Sequence, residues 1–285
     1  MELAPGLAIR RLEQLAADPA EPREPEGYCL CCEFDNPHPE GSSRHKRRRE
    51  VATRLLLHGV YATQILAPCG WSGLFRLYRC ASPEAHTCSA TEQRAAFLPT
   101  EWGRCGSAPA TFAAEAPVLL ERVQEVFLKP VLRLQIPIWL LEQGMAAPDQ
   151  HIRILLCATG LDSLTRANGQ AAFSERICNL LGAGTLIFPP DGAGRQPRYR
   201  VADVAGHLYQ LRNEMAHGLP FHSIFHKKQG FLDLEGQPLA AEFAKYRYDK
   251  VLEECAVFLL CRVLREVLLS RLIFDLHMME WRRTE

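Results

Sequence analysis

The chain has 285 residues, 47% of them hydrophobic, and its 33 lysines and arginines balance 33 aspartates and glutamates. That suits one large domain or two modest ones around a sizeable core. Zero net charge excludes a basic coat over the whole surface, while leaving room for a local basic patch. No apolar window has the length of a membrane span, because arginines interrupt VLRLQIPIWLL and CAVFLLCRVLREVLLSRLIF at helical intervals. MELAPGLAIRRLEQLAADP lacks a long apolar run and carries Glu2, Arg10, Arg11 and Glu13, so it does not read as a signal peptide. A cytoplasmic protein without membrane contact is expected.

In chain order, the pattern predicts a short amphipathic helix from Leu7 to Ala17, broken by the three prolines and glycine of DPAEPREPEG. YCLCCEF and GLFRLYRC have the length and composition of strands, and HGVYATQIL reads as a third. Between them RHKRRREVATRLLL runs from a basic cluster into an apolar, helix-like segment. Residues 1–110 therefore read as a small mixed α/β domain. From Phe112 onward apolar residues recur at spacings of three and four in APVLLERVQEVFLK, VLRLQIPIWLLEQG, HIRILLCATGLDSLTRA and AAFSERICNLLG. GAGTLIFPPDGAGRQPRYR is too rich in glycine and proline to continue a helix. VADVAGHLYQLRNEMAH and a long helix from about Ala240 to Arg271 follow. The fold class expected is mainly α, with residues 111–285 forming a helical bundle.

One of these helices carries chemistry. Leu208, Leu211 and Met215 recur at three and four and face the core, while Tyr209, Asn213 and His217 recur at four as a polar stripe. Arg212 lies about 100° round from Asn213 and its long side chain reaches toward that stripe. Gly218 suits the position after the helix and Pro220 forbids continuation, so His217 sits in the last turn. There it lies at the negative end of the helix dipole, with Arg212 nearby. Metal-free RNA cleavage needs such parts: a histidine to move protons and an arginine fork to hold the phosphate's developing charge. An asparagine can orient the imidazole or hold a phosphate oxygen. Spacing alone favours a plain polar helix face, since arginine and histidine five residues apart are common.

R-N-E-M-A-H resembles the Arg-x4-6-His signature of the HEPN superfamily in its Arg-Asn-x3-His form. HIRILLCATGLDSLTRANG, then AAFSERICNLLG, a variable loop and HLYQLRNEMAHG resemble the Apea-like HEPN branch in order, over roughly Ile136 to Leu269. Glu175, Arg176, Leu180 and Leu181 match the middle helix, and Asp162 stands where that branch usually has a glutamate. The resemblance implies a HEPN-type helical bundle that dimerises so that two Arg/His motifs face each other. It implies a metal-independent endoribonuclease that needs no cofactor for catalysis, in antiviral defence or a toxin–antitoxin system with an antitoxin or defence partner. Carried over, Arg212 stabilises the phosphate, His217 handles protons and Asn213 supports them, with Tyr209, Glu214 and Asp162 in supporting positions. HEPN toxins controlled by nucleotidyltransferases often carry a tyrosine two residues beyond the histidine; Leu219 stands there, which argues against that route of control. The rival reading is a non-catalytic HEPN interaction or regulatory module with a zinc-stabilised N-terminal domain.

Seven of the eleven cysteines precede residue 110. Cys29, Cys32, Cys80 and Cys88 are the candidate ligands for a structural zinc, with Cys69, Cys105 and His86 as further donors. Reduced, unrelated thiols are the leading reading, because two well-formed CxxC pairs are missing. Arg44, Lys46, Arg47, Arg48 and Arg49 form the strongest local charge. They read either as a solvated surface turn or as a grip on the RNA backbone, with Lys227 and Lys228 adding to the attraction. His222 and His226 are four apart but lie in too short a segment for a helical metal site.

Overall fold

The computed structural model describes residues 1–11, 28–32, 41–66, 73–80, 88–96, 111–129, 132–187, 200–217 and 248–284. The chain is mainly helical. Strands β1 (Glu2–Ala4), β2 (Leu7–Arg11) and β3 (Tyr28–Cys32) form one antiparallel sheet in the order β1-β2-β3. Helix α1 (Ser43–Leu66) follows, then the hairpin of β4 (Gly73–Cys80) and β5 (Cys88–Ala96). Helices α2 (Phe112–Leu128), α3 (Leu132–Ala146), α4 (Gln150–Thr165), α5 (Gln170–Leu181), α6 (Val201–Ala216) and α7 (Tyr248–Leu269) make the bundle. Strands β6 (Leu272–Asp275) and β7 (Glu280–Arg283) close the described chain as a hairpin. Among the described residues no helix is long and apolar enough to cross a membrane.

Two local expectations are corrected. Leu7–Arg11 is a strand rather than the start of a helix, because pairing to β3 (Leu7 with Cys32, Ile9 with Leu30) supplies long-range hydrogen bonds that local spacing cannot reveal. His58–Leu66, expected as a strand, continues α1. Its buried His58, Tyr61, Ala62 and Ile65 recur at three and four, the helical spacing, despite the aromatic and β-branched residues among them. Ser42 starts α1 by accepting the His45 N–H at 3.1 Å. Gly59 lets the sheet approach: a Cβ there would lie 2.8 Å from Leu30 Cδ2 and 3.0 Å from Leu7 Cδ2.

The core runs across residue 110, with Leu3, Leu7, Tyr61, Ala62, Ile65 and Leu66 in the same buried cluster as the apolar faces of α2 to α7. Helix α7 is its centre, packed against α1, α2, α3, α4, α5 and α6. Its Cys255 to Cys261 run is buried without a break, which is how a helix apolar all round behaves. The arginines that interrupt the apolar runs tie helices together. Arg265 of α7 grips Glu115 of α2 through Nε–Oε2 at 2.7 Å and Nη2–Oε1 at 2.5 Å, and Arg262 donates to the Leu186 carbonyl. Buried Arg153 of α4 pairs with buried Glu253 of α7 and donates to the Gly144 carbonyl at 2.9 Å and to the Ala147 carbonyl, satisfying the end of α3.

The end of α4 is held in the same way. Arg176 of α5, itself buried, donates from Nη1 to the carbonyls of Thr165 at 2.9 Å and Arg166 at 2.7 Å, and lies 4.2 Å from the Phe274 ring centroid. Arg133 of α3 donates to the Leu164 carbonyl at 2.9 Å and the Phe274 carbonyl at 2.8 Å, which brings the β6–β7 hairpin against the bundle. Burial, with Arg166 and Arg176 nearby, lowers Arg133 to about 10, still charged at neutral pH.

Between α1, α2 and α3 lies an aromatic cluster. His58 stacks on Phe127 with centroids 4.9 Å apart, Tyr61 stacks on the same ring at 5.7 Å, and the Tyr61 hydroxyl donates to Glu142 Oε2 at 2.8 Å. Burial first, and the Arg54 charge second, lower the His58 pKa from 6.5 to about 4. The folded state therefore holds His58 neutral, and its contribution is complete above pH 6.5 and lost as the pH falls toward 4. Linkage over that window predicts a loss of about 2 kcal/mol of stability between pH 7 and pH 5 from this group. Urea unfolding at the two pH values should show it, and His58→Gln should remove most of the difference; an unchanged pH slope in the variant would refute the assignment.

Candidate active site

Helix α6 is positioned by one apolar stripe: Val201, Val204, Ala205, Leu208 and Leu211 are fully buried, at intervals of three, one, three and three. Its other sides face α4, α5 and solvent. Tyr209 packs its ring against Phe173 of α5, centroids 5.2 Å apart. Arg212, one turn on, lays its guanidinium 4.6 Å from the Tyr209 ring centroid. The same guanidinium reaches across to α4, where Nη2 stands 3.2 Å from Asp162 Oδ2. Asp162, Tyr209 and Arg212 thus come together at the α4–α6 junction.

The electrostatics of this junction are contested within one pair. Arg212 stabilises the Asp162 carboxylate, but burial outweighs it and the Asp162 pKa lies above the usual carboxylate value. Asp162 Oδ1 and Arg212 Nε are both shielded from solvent and have no hydrogen-bond partner among the described residues. One acceptor and one donor are therefore left for something else. Because Arg133 and Arg176 hold the carbonyls that end α4, Asp162 rests on a fixed helix end rather than a frayed one. Neither arginine was expected to matter for the site. The signal was there in the sequence: single arginines inside otherwise apolar helical runs.

His217 is exposed and is the cap residue of α6, its backbone N–H donating to the Asn213 carbonyl at 3.0 Å. Asn213 and Glu214 are half-buried, and Glu214 Oε2 has no hydrogen-bond partner among the described residues. Five residues of helix separate Arg212 from His217 by roughly 7.5 Å along the axis and about 140° around it. Among the described residues no hydrogen bond or ring contact joins the His217 imidazole to Arg212, Asn213 or Tyr209. A single copy therefore offers a guanidinium held on one side and an imidazole free at the helix end.

The basic residues Arg44, Lys46, Arg47, Arg48 and Arg49 lie on the first turns of α1, so they belong to a helix and not to a surface turn. Cys29 and Cys32 lie on β3, while Cys80 and Cys88 are backbone partners at the end of the β4–β5 ladder in a separate sheet. Among the described residues no three histidine, cysteine or acidic side chains are grouped as metal ligands. Cys69, His86, Cys105, Gly218, Leu219, Pro220, His222, His226, Lys227 and Lys228 lie outside the described residues. Comparison of the chain with protein-family models, with curated proteins and with solved structures gives no match.

Proposed function

We propose that this chain is a metal-independent endoribonuclease of HEPN type, acting in the cytoplasm as a homodimer, within antiviral defence or a toxin system. The observation that carries the reading is the Arg212 guanidinium, oriented from two sides by Asp162 and Tyr209, five residues before an exposed His217. Such a guanidinium meets a phosphate without first being ordered, and the histidine at the helix end is open to substrate. The separation of the two groups within one copy is the reason for the dimer. Two copies with their α6 ends facing each other bring each arginine toward the other's histidine.

In the reaction, one imidazole takes the proton of the RNA 2′-hydroxyl as that oxygen attacks phosphorus. The bond to the 5′-oxygen breaks, and the now-protonated imidazole gives that proton to it. Arg212 bears the charge gathering on the phosphate oxygens, with Asn213 in a supporting position. Catalysis itself requires no metal. RNA incubated with the protein in excess chelator should yield fragments with 2′,3′-cyclic phosphate and 5′-hydroxyl ends. A requirement for a divalent cation, or 5′-phosphate products, would overturn the proposal.

A second reading has one observation in its favour: Arg212 is already paired with Asp162, so its charge is partly spent within the fold. On that reading the chain is a non-catalytic HEPN interaction module whose N-terminal part holds zinc. Chelator-resistant cleavage by the wild type would exclude it.

A further inference from the structure

Away from the α4–α6 junction, the densest charge of one sign lies on α1. Between residues 44 and 54 stand Arg44, Lys46, Arg47, Arg48, Arg49 and Arg54 against the single Glu50, in a chain whose charges cancel as a whole. Arg44, Lys46, Arg47, Arg48 and Arg54 are exposed. At 100° per residue, Arg44, Arg47, Arg48 and Arg54 fall within about 120° of each other, along a ridge roughly 15 Å long. This half of α1 projects from the core, for the buried residues of the helix are Ala52 and then His58 onward.

The electrostatics of the helix stand against this arrangement. The first turn of α1 has no acidic residue, so the cations crowd the positive end of the helix dipole. Arg44 also repels Arg47 and Arg48, its neighbours at three and four positions. A polyanion would relieve both penalties.

We propose that this arginine ridge binds the phosphate backbone of RNA. The proposal deepens the nuclease reading, since it names how substrate is held away from Arg212 and His217. Arginine forks match phosphate oxygens, and a helical ridge of this length spans several successive phosphates. A membrane surface is the poorer fit. A helix lying in a bilayer interface needs an apolar face to insert, whereas the exposed half of α1 offers Val51 alone among its large hydrophobics.

Binding is measured apart from cleavage by using a fluorescent 2′-O-methyl RNA 20-mer, which has no 2′-hydroxyl to attack, and anisotropy with the full chain across a salt series. The Arg44→Glu/Arg47→Glu variant removes two cations and puts acid at the positive end of the dipole, so it should melt no lower than wild type. At 0.1 M salt it should bind about ten- to thirty-fold more weakly, with the salt slope reduced by roughly 1.4, while Arg44→Lys/Arg47→Lys keeps the slope. Arg47→Gln/Arg54→Gln provides a second variant, with the same direction expected. The proposal is overturned if wild type fails to bind at low salt, or if both charge-removing variants match its affinity and slope. It is also overturned if the ridge is needed for binding phosphatidylserine vesicles and not for RNA. Ridge-dependent binding without chelator-resistant cleavage would remove the nuclease reading and leave the ridge standing; cleavage with ridge-independent binding would do the reverse.

Discussion

Replacing His217 by alanine is expected to slow RNA cleavage by about 10²–10⁴-fold, the range that a positioned acid–base group contributes. Its side chain is exposed and makes no described contact, so stability should change by less than about 0.5 kcal/mol. That separation makes the variant a clean test. Arg212→Ala should lose activity on a similar scale, but it also strips the half-buried Asp162 of its ion-pair partner. Arg212→Lys is therefore the informative companion: it keeps the charge beside Asp162 and loses the planar fork that a phosphate meets. Single-turnover cleavage of a labelled RNA, with urea unfolding of each variant alongside, reads both effects. Wild-type rates in His217→Ala would end the assignment of α6 as the catalytic helix. Mixing the His217→Ala and Arg212→Ala chains gives a further check on the composite site. If each dimer has two sites built from both copies, the mixture should regain part of the activity that neither variant has alone.

The largest effect on stability should come from Arg153→Met. Arg153 and Glu253 are each about 7% exposed at the side chain, and the pair bridges α4 to the central α7. Removing the arginine leaves a carboxylate buried without its counter-charge, a change that typically costs about 3–5 kcal/mol. The Ala147 carbonyl loses its Arg153 donor as well, and the Gly144 carbonyl keeps only the Ala147 N–H at 3.2 Å, so the end of α3 is weakened too. Arg153→Met/Glu253→Met should recover much of the cost, because two apolar side chains carry no desolvation penalty. It should not recover all of it, since the Ala147 carbonyl still lacks its Arg153 donor. Urea unfolding at pH 7 measures the set, with Glu253→Gln as the milder partner if Arg153→Met does not fold. A loss under about 1 kcal/mol for Arg153→Met would mean that water reaches the pair and solvates it.

The bundle was legible in the sequence for a physical reason. Helices α2 to α6 each carry an apolar stripe at spacings of three and four, and such a stripe is a local property written within one segment. The same holds for the polar side of α6, where the order of Tyr209, Arg212, Asn213 and His217 follows from helix geometry alone. Strands were legible only in part. Tyr28–Cys32 and Gly73–Cys80 have the composition of strands, but Leu7–Arg11 became one through its pairing with β3, and β6 with β7 gave no local sign. His58–Leu66 erred the other way, its aromatic and β-branched residues suggesting a strand while its burial follows a helix.

What the sequence determined by itself is helices α2 to α6 and which side of each turns inward, because hydrophobic spacing encodes both. What only the tertiary structure decided is where the long polar side chains end. Arg133, Arg153 and Arg176 could each have reached solvent from their helices. They turn inward because the ends of α3 and α4 leave carbonyls that must find donors. Asp162 meets Arg212 for the same kind of reason: the two lie fifty residues apart in sequence and touch only once α4 and α6 are packed. Donors and acceptors pair by distance in space, and distance in space is what a one-dimensional pattern does not contain.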